Sequence, residues 1–249
     1  MLPLLDETRF SDALNMASAF DGSTEKVGTL SEKLVHRTLK YYFEPDGANH
    51  EIEVLGSIVD IKNGDGIVEI QTRGFDRLKP KLEKLLPEYR VNVVYPVIVE
   101  KTVHWIDPES GETVSVRKSS KKGRVTDVLP ELYHVLDLLR EENLSFTLVS
   151  LYADEFRILD GYGKEKKKRA TKVNIVPTKL LEARDVSGNF GVKEWIYSIL
   201  PDNFTTKQLN STLHLRPRQL SLALKFLIKL GVVRQIGKIG NAYLYEKIK

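Results

Sequence analysis

Two acids, Asp60 and Glu69, flank an Asn63-Gly64-Asp65-Gly66 turn in the run SIVDIKNGDGIVEIQTR. If Gly64 and Asp65 close a two-residue hairpin, Asn63 faces Gly66, Ile61 faces Val68, and Asp60 faces Glu69. Opposed residues on one sheet face have Cβ atoms roughly 4.5–5.5 Å apart. Two carboxylates at that distance repel each other unless a cation sits between them. A hard divalent ion such as Mg²⁺ suits the place, because it prefers carboxylate oxygens and keeps several of its waters. Alternation puts Gln71 on the face of Asp60 and Glu69, with Lys62 on that face nearer the turn. Val59, Ile61, Val68 and Ile70 are left to supply packing.

The elements around this hairpin follow from pattern. A helix is expected over 30–43, with an apolar stripe of Leu30, Leu34, Val35, Leu39 and Tyr42. Thr29 is its candidate N-cap and Glu32 falls at N3, a T-x-x-E capping box. A weaker helical pattern covers 6–20. Strands are expected over 50–73, a helix over 75–86, and then a buried strand in RVNVVYPVIVEKTVHWID with GETVSVRK returning beside it. A further helix is expected over 127–141, and a pair of short strands in FTLVSLYADEFRIL. The order α-β-β-β-α-β defines an α/β class with a mixed sheet flanked by helices.

Asp60, a spacer and Glu69-Ile70-Gln71, preceded by a helix carrying Glu32, resemble the PD-(D/E)XK nuclease superfamily over roughly residues 29–105. The resemblance implies a restriction endonuclease-like fold and a metal-dependent deoxyribonuclease. It implies that Asp60, Glu69 and the carbonyl of Ile70 hold Mg²⁺ or Mn²⁺, and that Glu32, Asp60, Glu69 and Gln71 form the catalytic set. The sequence departs from the family at two places: Val59 stands where a proline is common, and Gln71 stands where the family usually has lysine. Gln71 could orient a water but is neither cation nor base, so Lys62 or Arg73 is the candidate for the missing positive charge. The plainer alternatives are a capping role for Glu32, two solvated acids on an exposed strand face, and solvated side chains for Lys62 and Arg73.

The C-terminal quarter reads differently. A helix near 192–200, a short helix KQLNSTL, a turn at His214 to Pro217, a helix RQLSLALKFLIKLG and a hairpin turning at Lys238 to Gly240 follow the winged helix-turn-helix order. The second helix of that motif would enter the major groove with Arg216, Arg218 and Gln219, residues able to read guanine and adenine edges. Lys207, Ser221 and Ser211 are candidate phosphate contacts, and Lys238 and Asn241 would lie in the wing. Leu220, Leu222, Leu224, Phe226, Leu227 and Leu230 are assigned to the core.

The charge balance agrees with this division. The net charge of +4 hides a balance of +11 over residues 160–249, from 18 basic and 7 acidic residues, against −7 over residues 1–159. Such asymmetry favours a nucleic-acid-binding segment joined to something else. There are no cysteines and only five scattered histidines, which argues against a disulfide scaffold and a zinc site and for Mg²⁺. No apolar run is long enough to span a bilayer and no signal peptide is evident, so a cytoplasmic protein without a membrane role is expected. The expected division is a nuclease-like domain over 1–160, a basic linker over 161–175 that includes Lys164, Lys166, Lys167, Lys168 and Arg169, and a winged-helix domain over 176–249. The expected function is a Mg²⁺-dependent endonuclease on double-stranded DNA, with a homodimer left open. The alternatives are a catalytically inactive nuclease-fold DNA-binding protein or transcriptional regulator, and a protein-interaction adaptor.

Overall fold

The computed structural model describes residues 6–19, 30–162 and 169–248, with the side chains of residues 30–33 outside that description. Lys164, Lys166, Lys167 and Lys168 of the basic run and the candidate cap Thr29 therefore lie outside the described residues.

The chain begins with two helices, α1 (Glu7–Ala19) and α2 (Leu30–Phe43). Phe10, Ala13 and Ala17 form the buried stripe of α1. Arg9 ties it to α2 by donating to the carbonyls of Tyr42 and Phe43. Strands β1 (His50–Val54), β2 (Ser57–Asn63) and β3 (Gly66–Ile70) then form a meander, and α3 (Phe75–Leu85) crosses over to β4 (Val91–Ile106). The expected α-β-β-β-α-β order is thus present from α2 to β4. A return strand β5 (Thr113–Lys118), a short helix α4 (Leu129–Leu132), and the long strands β6 (Leu144–Ile158) and β7 (Thr171–Ser187) complete the large sheet and its cover.

That sheet has seven strands in the order β1-β2-β3-β4-β6-β7, with β5 on the far half of β4. The β3–β4 and β4–β6 pairs are parallel and the others antiparallel. Helices cover both faces. On one face α1 and α2 pack Phe10, Val35, Leu39 and Tyr42 against Ile61, Ile70, Val94 and Val149. On the other α3 packs Phe75, Leu78, Leu82 and Leu85 against Ile67, Val93, Phe146 and Leu148. Val93 and Val94 therefore serve opposite cores, which is why the β4 run is apolar without alternation.

The C-terminal unit comprises α5 (Gly188–Ile199), β8 (Asn203–Thr205), α6 (Thr206–Leu213), α7 (Pro217–Lys229), β9 (Val233–Ile239) and β10 (Ala242–Lys247). Its three strands pair as β8-β10-β9. Its core, including Trp195, Phe204, Phe226 and Leu227, is continuous with the α3 side of the large sheet. Thr126 donates a buried hydrogen bond to the carbonyl of Leu213 across the junction.

Several elements differ from expectation. The helix expected over 127–141 is one turn of α4 followed by 3-10 turns over Tyr133–Arg140, because Val135 leaves helical geometry (φ −119°, ψ 20°). The two short strands expected near 146–158 are the single strand β6. The border expected at 175/176 falls inside β7, and the C-terminal unit starts at Gly188. Three register shifts between β6 and β7 break the period-2 pattern that would have disclosed the strand. Leu222 and Leu224, expected in the core, are only half-buried.

The hairpin turn adopts the expected register, with Asn63 opposite Gly66 and Ile61 opposite Val68. Gly66 has φ 138°, and a Cβ there would lie 2.5 Å from the carbonyl oxygen of Arg90. Gly66→Ala should therefore lower stability by about 1–3 kcal/mol, measured by urea denaturation. Wild-type stability in that variant would contradict the steric argument.

Candidate functional site

The hydrogen-bonded register ends at Ile61 and Val68, and at the next position the Asp60 side chain takes over from the backbone. Asp60 Oδ2 accepts the Ile70 N–H at 2.7 Å and lies 3.1 Å from His36 Nε2. His36 is one helical turn beyond Glu32 on α2. The side chain of Glu32 lies outside the described residues. Burial works against ionisation of Asp60. The His36 hydrogen bond and charge, the Ile70 N–H and the charge of Lys81 outweigh it and hold the carboxyl below its ordinary range.

Glu69 meets the opposite conditions. It is 5% exposed. Burial first, and then the neighbouring Asp60 charge, push it up to about 7, with Lys81 opposing. The Lys81 ammonium, reaching across from α3, lies 2.6 Å from Glu69 Oε1. It also donates to the Ile58 carbonyl at 2.5 Å. The approach to Oε1 is off the hydrogen-bonding directions, so this buried oxygen has an ionic contact without a well-formed hydrogen bond. The two acids thus differ in character. Asp60 is held charged, and Glu69 sits near neutrality of its own titration, a separation typical of functional carboxylate pairs.

The other expected residues are placed as follows. Gln71 does not join the acids: its Nε2 donates to the Arg73 carbonyl at 2.6 Å. Lys62 donates to the Asn63 carbonyl and lies over the Tyr89 ring, so it does not serve Asp60. A cation that meets the acids is Lys81, which spacing along the hairpin does not indicate. No spacing rule links it to the hairpin, because it arrives by the crossover and the α3 packing of Leu78 and Leu82. His36 is likewise not indicated, although Glu32 and His36 form an E-x-x-x-H pair on one helix. A second ion pair borders the site. Lys40, 6% exposed, meets Glu51 at 2.8 Å, and Glu51 adopts φ 53° beside Asp60.

Among the described residues, no group of three or more His, Asp or Glu side chains is arranged around one metal position. A divalent ion would have two carboxylates, Asp60 and Glu69, with backbone and water oxygens making up the rest, a donor set that suits Mg²⁺. The under-satisfied Glu69 Oε1 fits such a role. Lys81 holds that oxygen now, and would have to give it up.

In the C-terminal unit, Lys207, Arg216, Arg218, Ser221, Lys238 and Asn241 are exposed. Gln219 is half-buried and its amide oxygen caps α7, accepting the Arg216 N–H at 3.4 Å. Lys238 lies 4.7 Å from the centre of the Tyr243 ring. Arg218, Ser221 and Lys225 line a cleft of about 520 Å³ shared with Asp76, Glu131 and His134 of the first unit. Part of the α7 surface expected to face a groove therefore faces the start of α3.

The sequence profile described as "Domain of unknown function (DUF8091)" matches residues 33–187. The chain belongs to the DUF8091 family. The match takes in Asp60, Glu69 and Lys81 and ends with β7, so the DUF8091 region coincides with the large sheet and leaves the C-terminal unit outside. An uncharacterized protein of Treponema pallidum (strain Nichols) is 36% identical over 228 residues, covering 89% of this chain and 87% of its own. No solved structure matches the chain. Among the described residues, no helix is long and apolar enough to cross a membrane.

The raised carboxyl gives a signed pH dependence. Below the ordinary carboxylate range Glu69 is protonated both folded and unfolded. As pH rises from there to about 7, the unfolded chain loses the proton and the folded one keeps it, so stability falls. In denaturation with chelator present, wild type should lose roughly 3 kcal/mol more than Glu69→Gln between about pH 4 and pH 8. Parallel pH profiles for the two proteins would contradict the assignment.

Proposed function

We propose that this chain is a divalent-metal-dependent DNA endonuclease whose large sheet carries the cleavage site and whose C-terminal unit, read as a winged helix, holds duplex DNA. The observation that carries the reading is the convergence of Asp60, Glu69 and the Ile70 backbone on one end of the β2–β3 hairpin, with the Lys81 ammonium at the buried acid. In this reading the fold is restriction endonuclease-like. Asp60, Glu69 and the Ile70 carbonyl would hold Mg²⁺ or Mn²⁺, which when bound lowers the pKa of a water and offsets charge on the scissile phosphate.

The protein's own groups have distinct tasks. His36 and the Ile70 N–H fix the Asp60 carboxylate and keep it ionised. Glu69 would hold the cation together with Asp60, and the ion's charge would offset the repulsion between the two carboxylates. Lys81, carried on α3 beside Glu69, would be within reach to offer its ammonium to a phosphate oxygen. It thereby supplies the positive charge that Gln71 cannot. In the C-terminal unit, α6 and α7 stand as the helix-turn-helix and β9–β10 as the wing. Arg216 and Arg218 are placed at the start of α7 for phosphates or base edges. Residues 188–249 carry 10 basic and 3 acidic residues, a balance of +7 that favours affinity for the duplex.

A second reading, a DNA-binding protein or transcriptional regulator with an inactive site, is favoured by the turn of Gln71 onto the Arg73 carbonyl. Incubating purified protein with supercoiled plasmid and Mg²⁺ or Mn²⁺ separates the two. Cleavage should occur in wild type, be lost in Asp60→Ala, Glu69→Ala and Lys81→Ala, and persist in Gln71→Ala. DNA binding without cleavage in wild type favours the second reading. Activity indifferent to both Asp60→Ala and Glu69→Ala removes the first.

The DNA interface has its own test. The double variant Arg216→Ala, Arg218→Ala should weaken binding to duplex and reduce the slope of log affinity against log salt by about 2. An unchanged slope would leave these arginines without a phosphate role.

A further inference from the structure

A second cleft lies at the end of α7 away from Arg216 and Arg218, where α5 and the 3-10 turns over Tyr133–Arg140 meet that helix. Its volume is about 390 Å³, within the usual range of small-ligand sites. Arg140, Lys193 and Lys229 line it, each carried by a different element. The fold, and not local sequence, therefore gathers these cations. The acid that shares the wall, Asp137, is paired with Lys79 at 2.6 Å, so its charge is already offset. Among the described residues, Arg140 and Lys193 meet no carboxylate. Lys229 reaches the Tyr133 hydroxyl at 3.4 Å and lies over the Tyr133 ring. Cations gathered in one cleft repel one another, and a bound anion relieves that repulsion.

Two side chains at the start of α5 indicate what the anion is attached to. Phe190 is 79% exposed. It is one residue from Asn189 and three from Lys193, so it flanks Lys193 on the helix surface. An aromatic ring left in water beside cations suits the stacking of a flat heterocycle. Asn189 lines the cleft, and its buried amide oxygen accepts no hydrogen bond among the described residues. A primary amide offers an acceptor and donors in one plane, the pattern that matches the edge of a nucleobase. An acidic peptide would use the cations and leave Phe190 idle. An apolar partner would use Phe190 and leave the cations unpaired.

We propose that this cleft binds a nucleotide unit, with its phosphate on Arg140, Lys193 and Lys229 and its base against Phe190 and Asn189. The unit is a free nucleotide or one residue of an unpaired strand, because in a duplex the bases are stacked on one another and out of reach of the ring. The site is separate from the arginines proposed to hold duplex DNA: Lys229 stands roughly 16 Å along α7 from Arg218. It does not depend on the cleavage reading.

The test uses the full-length chain with EDTA present and two probes. One is a short fluorescein-labelled single strand of mixed sequence, followed by anisotropy, and the other is AMP, followed by calorimetry. AMP binding assigns the free nucleotide, and strand binding that AMP does not displace assigns the unpaired strand. For the probe that binds, Phe190→Ala and the double variant Arg140→Ala, Lys193→Ala should each weaken affinity about tenfold. Phe190→Trp should retain it and Phe190→Leu should not, because leucine is apolar but has no ring face. Duplex binding should be the same in Phe190→Ala as in wild type. Failure of both probes to bind, wild-type affinity in Phe190→Ala or Phe190→Leu, or displacement of the bound probe by inorganic phosphate as readily as by AMP would each overturn the proposal.

Discussion

The structure around the hairpin depends on one electrostatic constraint: two neighbouring carboxylates, the half-buried Asp60 and the buried Glu69, are brought together on paired strands. Burying charge is costly unless it is paired or neutralised. The chain meets that cost asymmetrically. Asp60 receives a histidine and a backbone N–H and remains ionised. Glu69 receives an ammonium from the other side of the sheet and is nonetheless pushed up to about 7. The neighbouring layers are arranged accordingly. α2 brings His36 and α3 brings Lys81, so both helical covers of the sheet contribute a partner for the acids.

This arrangement accounts for the crossover helix. α3 is fixed by Phe75, Leu78, Leu82 and Leu85 in the core, and its start is capped when Glu131 accepts the N–H groups of Gly74 and Phe75. Lys81 stands beside that apolar stripe, where its stem lies against the sheet and its ammonium reaches the strand end. In the proposed cleavage reading the same ammonium balances Glu69 at rest and is available to phosphate once a metal takes its place. A buried acid poised near neutrality suits that exchange, since only a small change in surroundings is needed to ionise it.

Much of this was legible in the sequence, for identifiable reasons. The hairpin register followed from Asn63-Gly64-Asp65-Gly66, because turn length sets strand pairing. The two-sided burial of β4 was visible in its unbroken Val and Ile run. The partners of the acids were not legible. His36 and Lys81 reach them through tertiary packing, whereas local spacing pointed to Lys62, which turns to the Asn63 carbonyl. The extent of β7 was hidden by charged residues at its exposed positions and by bulges opposite β6. The helix over 127–141 was read from periodicity that 3-10 turns also satisfy over a short span, and Val135 breaks it.

The central claim is that Lys81 and a divalent cation compete for Glu69. Titrating Mn²⁺ into wild type, Glu69→Gln and Lys81→Met while following thermal unfolding tests this directly, because a ligand bound only to the folded state raises the unfolding temperature. The account predicts a rise in wild type, the same rise at lower Mn²⁺ in Lys81→Met, and none in Glu69→Gln. An equal response in all three proteins, or none in wild type, would contradict it.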